Sequence, residues 1–163
     1  MKPPADAAAR LQSTGAPWVA LLSPKQWRHI HDLLADRPDL RIIEVNGASC
    51  QTKSSLFDEF SNRLDFPAYF GRNWDAFEEC IRDLEWLPAQ GYLVVVMNAD
   101  KLLGQDRQDR DTFIEIMRAA GADWANPRDQ NRSGVPFHVL LLLPSDRVKE
   151  TGWKLPELVT SRA

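Results

Sequence analysis

The sequence predicts an α/β domain built around a largely parallel sheet, and three observations support this fold class. Residues 92–97 and 137–143 are apolar runs of strand length, as expected for strands that are covered on both faces. Segments with helical periodicity lie between the predicted strands, and such alternation is typical of parallel sheets. The chain has 163 residues, 44% of them hydrophobic, which is enough for one domain with a single core.

The predicted elements alternate along the chain, and several have a local start or stop signal. Ser23-Pro24 combines a good N-cap with a residue suited to the first helical position, and Asn46-Gly47 is a strong turn signal. Gly121 favours the end of a helix. In chain order, we expect a strand over 18–22, a helix over 24–35, a strand over 41–45, helices over 54–64 and 74–85, a strand over 92–97, a helix over 111–120 and a strand over 137–143.

The segments outside these elements carry weaker patterns. Residues 1–16 are rich in Ala and Pro without periodicity, so we expect a loose N-terminal arm before a single domain over 17–143. Residues 144–163 show no strong pattern and are expected to form a C-terminal tail. Residues 123–135 combine Asn-Pro and Ser-Gly with several charges, which predicts a long polar loop that either adds contacts or is mobile.

Composition excludes several classes of function. The chain has 20 basic and 23 acidic residues, and the net charge of −3 is too small to indicate a nucleic acid or a membrane surface as partner. Cys50 and Cys80 are the two cysteines, with neither a CxxC motif nor a Cys/His spacing suited to zinc. No apolar segment has the length of a signal-peptide core or a membrane span. We therefore expect a cytoplasmic protein that has no metal or cofactor and binds neither nucleic acid nor membrane directly.

The segment 65–81 places an aromatic loop directly before an acidic helix. Asn73 can cap a helix that begins at Trp74, since Pro and Gly in the loop prevent the previous helix from continuing. At helical spacing, Asp75, Glu78 and Glu79 share one face, and the apolar residues of the helix lie on the opposite face. Asp75 alone could simply stabilise the first helical turn, where the helix dipole favours a negative charge.

The loop makes a binding role more plausible than helix stability alone. Tyr69 and Phe70 stand next to Gly71, in a segment too short and polar to bury both rings. Aromatic residues beside carboxylates are typical of interface anchors, although Phe70 could pack inward and Tyr69 could merely cover the edge of the core. Residues 66–86 include five acidic and two basic side chains, which gives this segment a net charge of −3. The segment therefore predicts a surface for a basic partner.

At this segment the chain resembles the barstar family of intracellular inhibitors of barnase-type ribonucleases. The resemblance extends without gaps from about residue 44 to 84 and continues loosely to about 143. It implies a three-stranded parallel sheet packed by helices, so the strand and helix over 17–40 would be an extra unit that adds one strand at an open sheet edge. The matching residues are Val45-Asn46-Gly47, the helix with Leu56, Phe60 and Leu64, and Pro67-x-Tyr69-Phe70-Gly71-x-Asn73-Trp74-Asp75-Ala76-Phe77.

The resemblance also implies which residues bind the partner. Glu79 stands where the family has an aspartate that enters the phosphate-binding site of the nuclease, and a carboxylate one methylene longer can still pair with basic groups there. Glu78 and Leu84 replace family tryptophans, and Ala119 replaces an acidic contact for which Glu115 is a possible substitute. These departures point to a target other than barnase. The predicted partner-binding residues are Tyr69, Gly71, Asn73, Trp74, Asp75, Glu78 and Glu79.

The resemblance implies an inhibitor that blocks a basic ribonuclease with this loop and helix, and two alternatives remain open. An immunity protein, or antitoxin, against a toxin domain of another chemistry would use the same kind of surface. A small α/β enzyme could use Asp75 and Glu79 as an acid/base pair. No P-loop, GxGxxG, GxSxG or HExxH motif accompanies them, and the three histidines give no catalytic pattern. We therefore expect a protein that is not an enzyme, and no pattern sets its oligomeric state.

Overall fold

The sheet has four strands, and all of them are parallel. A computed structural model of the protein describes residues 3–148 and 152–159. The strands are β1 (Val19–Leu22), β2 (Leu40–Asn46), β3 (Gly91–Met97) and β4 (Phe137–Leu142), in the spatial order β1-β4-β3-β2. Strands β3 and β4 lie in the centre and are buried on both faces, which explains their continuous apolar sequences. The predicted α/β fold with a parallel sheet is confirmed.

Five helices cover the two faces of this sheet. They are α1 (Pro3–Leu11), α2 (Pro24–Leu34), α3 (Lys53–Leu64), α4 (Trp74–Asp83) and α5 (Arg107–Ala125). Helices α3, α4 and α5 pack on one face, over Val94, Val96 and Val139. Helices α1 and α2 pack on the other face, over Leu93, Val95 and Leu140. Side chains alternate across the sheet, so each central strand contributes to two separate core clusters.

The strand and helix over 17–40 extend the sheet as the sequence predicted. Strand β1 pairs in parallel with β4, with Val19 opposite Val139 and Leu22 opposite Leu142. Helix α2 returns the chain across the sheet, and β2 forms the opposite edge beside β3. The extra unit therefore covers one edge and, through α2, most of one face.

The N-terminal segment is not the loose arm that the composition suggested. Pro3–Leu11 form α1, and Ala7, Ala8 and Leu11 are buried against the second core cluster. Alanine is the best helix former, and the buried residues Ala7, Ala8 and Leu11 recur at helical spacing, a periodicity that the composition of residues 1–16 does not reveal. His138 is 2% exposed, and its ring nitrogens lie 2.8 and 2.7 Å from carbonyl oxygens of Pro17 and Ser13.

The C-terminal tail also has ordered contacts. The Leu21 amide donates to the Pro156 carbonyl at 2.8 Å, and the Leu158 amide donates to the Leu21 carbonyl at 2.9 Å. These bonds place the tail along the outer edge of β1, and Leu158 is buried there. Residues 1, 2, 149–151 and 160–163 belong to the predicted arm and tail but lie outside the described residues.

Helix α5 is longer than the sequence predicted. It runs through Gly121 to Ala125, so Asp123 and Trp124 belong to the helix rather than to a polar loop. A Cβ atom at Gly121 would lie 2.4 Å from the Cβ of Trp18. Glycine is therefore needed at this position for close packing of α5 against the start of β1, not to end the helix.

Candidate functional site

Helix α4 begins as the sequence predicted. The Asn73 side chain accepts a hydrogen bond from the Ala76 amide at 2.8 Å, and its amide nitrogen donates to the Gly71 carbonyl at 3.3 Å. Phe77 and Ile81 are fully buried in the core. The cap and the buried face fix the orientation of the helix, so its outer face is held rigidly toward solvent.

The two aromatic residues of the loop point in opposite directions. The Phe70 ring packs edge-to-face on Phe57 and Phe66, with centroid distances of 5.5 and 5.1 Å. The Tyr69 side chain is 80% exposed, the most exposed large hydrophobic residue in the described part of the chain. Phe70 thus anchors the loop to the core, and Tyr69 is left on the surface without internal packing to explain it.

Asp75 and Glu79 are exposed carboxylates on the outer face of α4. The nearby Arg72, in a left-handed conformation with φ of 53°, does not neutralise them. Its guanidinium turns back to α3, 2.6 Å from an Asp58 carboxylate oxygen and 3.1 Å from the Ser54 hydroxyl. Within residues 3–148 and 152–159, Asp75 and Glu79 have no ion pair, so their charge is available to a partner.

Glu78 is placed differently from these two carboxylates. It is half-buried, and its side chain forms an ion pair with Arg82 at 2.8 Å. Arg82 also contacts the Asp123 carboxylate at 2.8 Å, which links α4 to the end of α5. The local sequence pattern contains no signal for the contact with Asp123, which is 41 positions from Arg82 in the chain.

Trp74 faces the interior more than the surface. Its ring is half-buried and packs edge-to-face on Phe57 and Phe77 at 5.2 and 5.6 Å. Its indole N–H donates to an Asp109 carboxylate oxygen at 3.1 Å, which ties the start of α4 to α5. Trp74 therefore positions the helix. The exposed residues Tyr69, Gly71, Asp75 and Glu79, which we call the acidic surface, lie along the loop and the outer face of α4.

Two further positions where the chain departs from the barstar pattern, and the possible substitute Glu115, have distinct surroundings. Leu84 is 1% exposed and ends α4 in a left-handed conformation, with φ of 48°, so it is part of the core. Ala119 lies half-buried on α5. Glu115 is exposed one turn earlier and pairs with Arg118. Glu115 is thus an exposed carboxylate of α5 that lies one turn before Ala119, the position at which the family has an acidic contact.

Neither cysteine is suited to nucleophilic chemistry. Burial, with a smaller contribution from Glu59, raises the pKa of the Cys50 thiol to about 12. Burial also raises the pKa of Cys80, followed by the carboxylates of Asp83 and Glu79. Both thiols therefore stay protonated at neutral pH.

Two absences within residues 3–148 and 152–159 concern metal ions and membranes. No group of three or more histidine, cysteine or carboxylate residues is arranged to hold a metal ion. Among the same residues, no helix combines the length and the apolar character required to cross a bilayer.

Two matches to known proteins cover this region of the chain. The sequence is 30% identical over 81 residues to a protein of Bacillus subtilis (strain 168) named "Putative ribonuclease inhibitor YrdF". The match covers 50% of this chain and 86% of that protein. The family described as Barstar (barnase inhibitor) matches residues 40–142, which include β2, β3, β4 and the whole acidic surface. The chain therefore belongs to the barstar family.

Proposed function

We propose that the protein is a non-enzymatic inhibitor of a basic ribonuclease and that it acts in the cytoplasm of the producing cell by filling the active-site cleft. The observation that carries this proposal is the pair of exposed, unpaired carboxylates Asp75 and Glu79 on a rigidly capped helix. Membership in the barstar family and the name of the B. subtilis relative support the ribonuclease as the class of partner.

The chemistry of such a cleft fits the acidic surface. A ribonuclease binds the phosphates of RNA with arginine, lysine or histidine, and carboxylates can occupy the same positions through charge-assisted hydrogen bonds. Asp75 and Glu79 lie four residues apart, about 6 Å along the helix axis, so both can enter one cleft. The local negative charge would also steer the two proteins together, an effect for which barnase and barstar are the standard example.

Tyr69 and Gly71 supply the apolar and steric parts of the contact. Tyr69 is a large aromatic side chain at the tip of an anchored loop, the type of residue that dominates interface energies. A Cβ atom at Gly71 would meet the Asn73 side chain at 3.4 Å and Ala76 at 3.5 Å, which are ordinary contacts. The fold itself does not require glycine at this position, and this supports a role in the close approach of the partner backbone.

An immunity role against a toxin domain of another chemistry is the second candidate. Glu78 stands at a position of a family tryptophan, and its pairing with Arg82 gives this part of the surface a polar character. Such a change favours a partner whose contact area differs from that of barnase. Both candidates use the acidic surface, and the substrate of the inhibited enzyme distinguishes them.

An inhibition assay tests the proposal. The purified protein is titrated into a panel of basic ribonucleases that includes barnase, and into the ribonuclease activity of the producing cells, with RNA cleavage as the readout. We expect tight inhibition of at least one enzyme, which weakens at least about 100-fold in the variant Asp75→Ala/Glu79→Ala, since buried interface charges are worth about 2–5 kcal/mol each. Association should slow as salt rises.

A matched variant controls for the change in net charge. Asp32 and Asp36 are exposed at and just beyond the end of α2, on the other face of the sheet, so Asp32→Ala/Asp36→Ala should inhibit like the wild type. If no ribonuclease is inhibited, the proposed function is wrong. If Asp75→Ala/Glu79→Ala inhibits as strongly as the control variant, the acidic surface is not the binding site.

A further inference from the structure

One hollow of the protein shares helix α4 with the acidic surface. It has a volume of about 320 Å³ and lies between the last turn of α4, the end of α5 and the loop over 126–134. We call it the Trp124 hollow. Its lining includes Arg82, Trp124, Pro127, Arg132, Ser133 and Val135.

The floor of the Trp124 hollow is rigid. The Trp124 indole N–H donates to the Ile81 carbonyl at 3.0 Å, and the ring lies parallel to Phe137, with 4° between the planes and 6.3 Å between the centroids. The Val135 amide donates to the Trp124 carbonyl at 2.8 Å, which fixes the far side. These contacts fix the half-buried Trp124 ring that lines the hollow, so a ligand would not have to form this apolar wall.

The walls favour an aromatic group over an anion. The Arg82 guanidinium contacts the carboxylates of Glu78 and Asp123, which fix its plane and offset its charge, so its planar face remains for stacking. The Asp123 carboxylate itself lines the hollow and would repel an anionic group. In the described part of the chain, Arg132 makes no ion pair, so a second guanidinium can lie against a ring. Guanidinium groups bind aromatic faces by cation–π attraction.

The hollow is continuous with the proposed ribonuclease contact. Arg82 lies on the same face of α4 as Asp75 and Glu79, about 10 Å along the axis from Asp75. A standard protein interface buries about 800 Å² on each partner, an area that reaches well beyond 10 Å. A ribonuclease that covers Asp75 and Glu79 would therefore place the rim of its cleft over the Trp124 hollow.

We propose that the Trp124 hollow receives one aromatic side chain from the rim of the ribonuclease cleft and thereby selects among ribonucleases. This inference rests on the proposed function and names a determinant of specificity within it. Asp75 and Glu79 are suited to any basic cleft, whereas a rigid hollow accepts only an enzyme that has a ring at the matching position.

Variants on the loop test the hollow without touching its floor. The ribonuclease that is inhibited most tightly in the panel serves as the probe. Ser133→Trp places a bulky ring at the hollow, and Gln130→Trp places the same ring on the same loop outside it. Arg132→Ala removes one wall, and Arg128→Ala removes an equal charge outside the hollow.

We expect Ser133→Trp to raise the dissociation rate of the complex at least about tenfold, since truncation of a buried aromatic hot spot typically costs more than this. Arg132→Ala should raise it at least about threefold. The two control variants should stay within about twofold of the wild type. Thermal unfolding midpoints of all four variants should match the wild type, because the substituted residues are exposed.

A second experiment changes the ribonuclease instead of the inhibitor. Each aromatic residue on the rim of the probe ribonuclease is replaced by alanine, and one replacement should weaken binding to the wild-type inhibitor but not to Ser133→Trp. If Ser133→Trp and Arg132→Ala bind like their controls, or if Arg132 couples to an acidic residue of the enzyme, the inference is wrong. Loss of inhibition in Asp75→Ala/Glu79→Ala alone would then leave the proposed function intact.

Discussion

The N-terminal unit should be essential for folding, although the family match begins only at residue 40. A chain that begins at Leu40 would keep β2, β3 and β4 together with α3, α4 and α5. It would lose β1 and both helices that cover the second face of the sheet. The side chains on that face of β3 and β4 would then be open to water. These residues are Leu93, Val95, Leu140 and Leu142, which are 0%, 0%, 1% and 2% exposed.

The expected loss is as large as the stability of a typical domain. Burial of one large aliphatic side chain contributes about 1.5–3 kcal/mol, so exposure of four costs about 6–12 kcal/mol. This figure is an upper estimate, since unfolded chains already bury part of their apolar surface. The total free energy of unfolding of a domain is about 5–15 kcal/mol. We therefore expect the shortened chain to be unfolded or to associate through the bare face.

Urea unfolding followed by circular dichroism, together with light scattering after size exclusion, measures both outcomes. A chain that begins at Pro17 is the matched control, because it keeps β1 and α2 and loses only the burial of Leu11 and two alanines and the contact between His138 and the Ser13 carbonyl. It should remain folded and lose about 2–4 kcal/mol. A shortened chain that begins at Leu40, stays monomeric and unfolds at the wild-type urea midpoint would refute the assignment of a structural role to residues 17–40.

Three further predictions concern single positions. Asn73→Ala removes the cap bond to Ala76 and should lower the free energy of unfolding by about 1 kcal/mol, with Asn73→Ser retaining it in the same urea titration. Gly121→Ala should lower the thermal unfolding midpoint, because the added methyl overlaps Trp18 at a cost of about 1–3 kcal/mol; a higher midpoint would contradict this packing. The raised pKa of Cys50 means that the unfolded thiol ionises first, so stability should fall as pH rises from about 9 toward about 12, and Cys50→Ala should show a shallower slope of unfolding free energy against pH.

Local patterns predicted the elements that depend on neighbouring residues. The capped start of α4 at Asn73 and its buried Phe77 face follow from side chains within one or two turns, so the sequence contained the whole signal. The same reasoning failed at α1 and at Gly121. In α1 alanines stand on both faces, with Ala7 and Ala8 buried and Ala9 exposed, so the Ala-rich composition did not mark the buried face. At Gly121 the local rule for a helix end was overridden by Trp18, a contact across 103 positions.

The sequence by itself determined the parallel α/β fold, the barstar resemblance and the side of α4 on which Asp75 and Glu79 lie, because periodicity fixes which residues share a face. Only the tertiary structure decided which charged side chains near this face form ion pairs within the protein and which remain unpaired in the described residues. Arg72 pairs with Asp58 and Arg82 pairs with Glu78 and Asp123, so the counterions of this region are already assigned within the fold. The Arg72–Asp58 and Arg82–Asp123 pairs depend on distances between separate elements, which local spacing along the chain does not contain, whereas Glu78 and Arg82 stand four residues apart on α4.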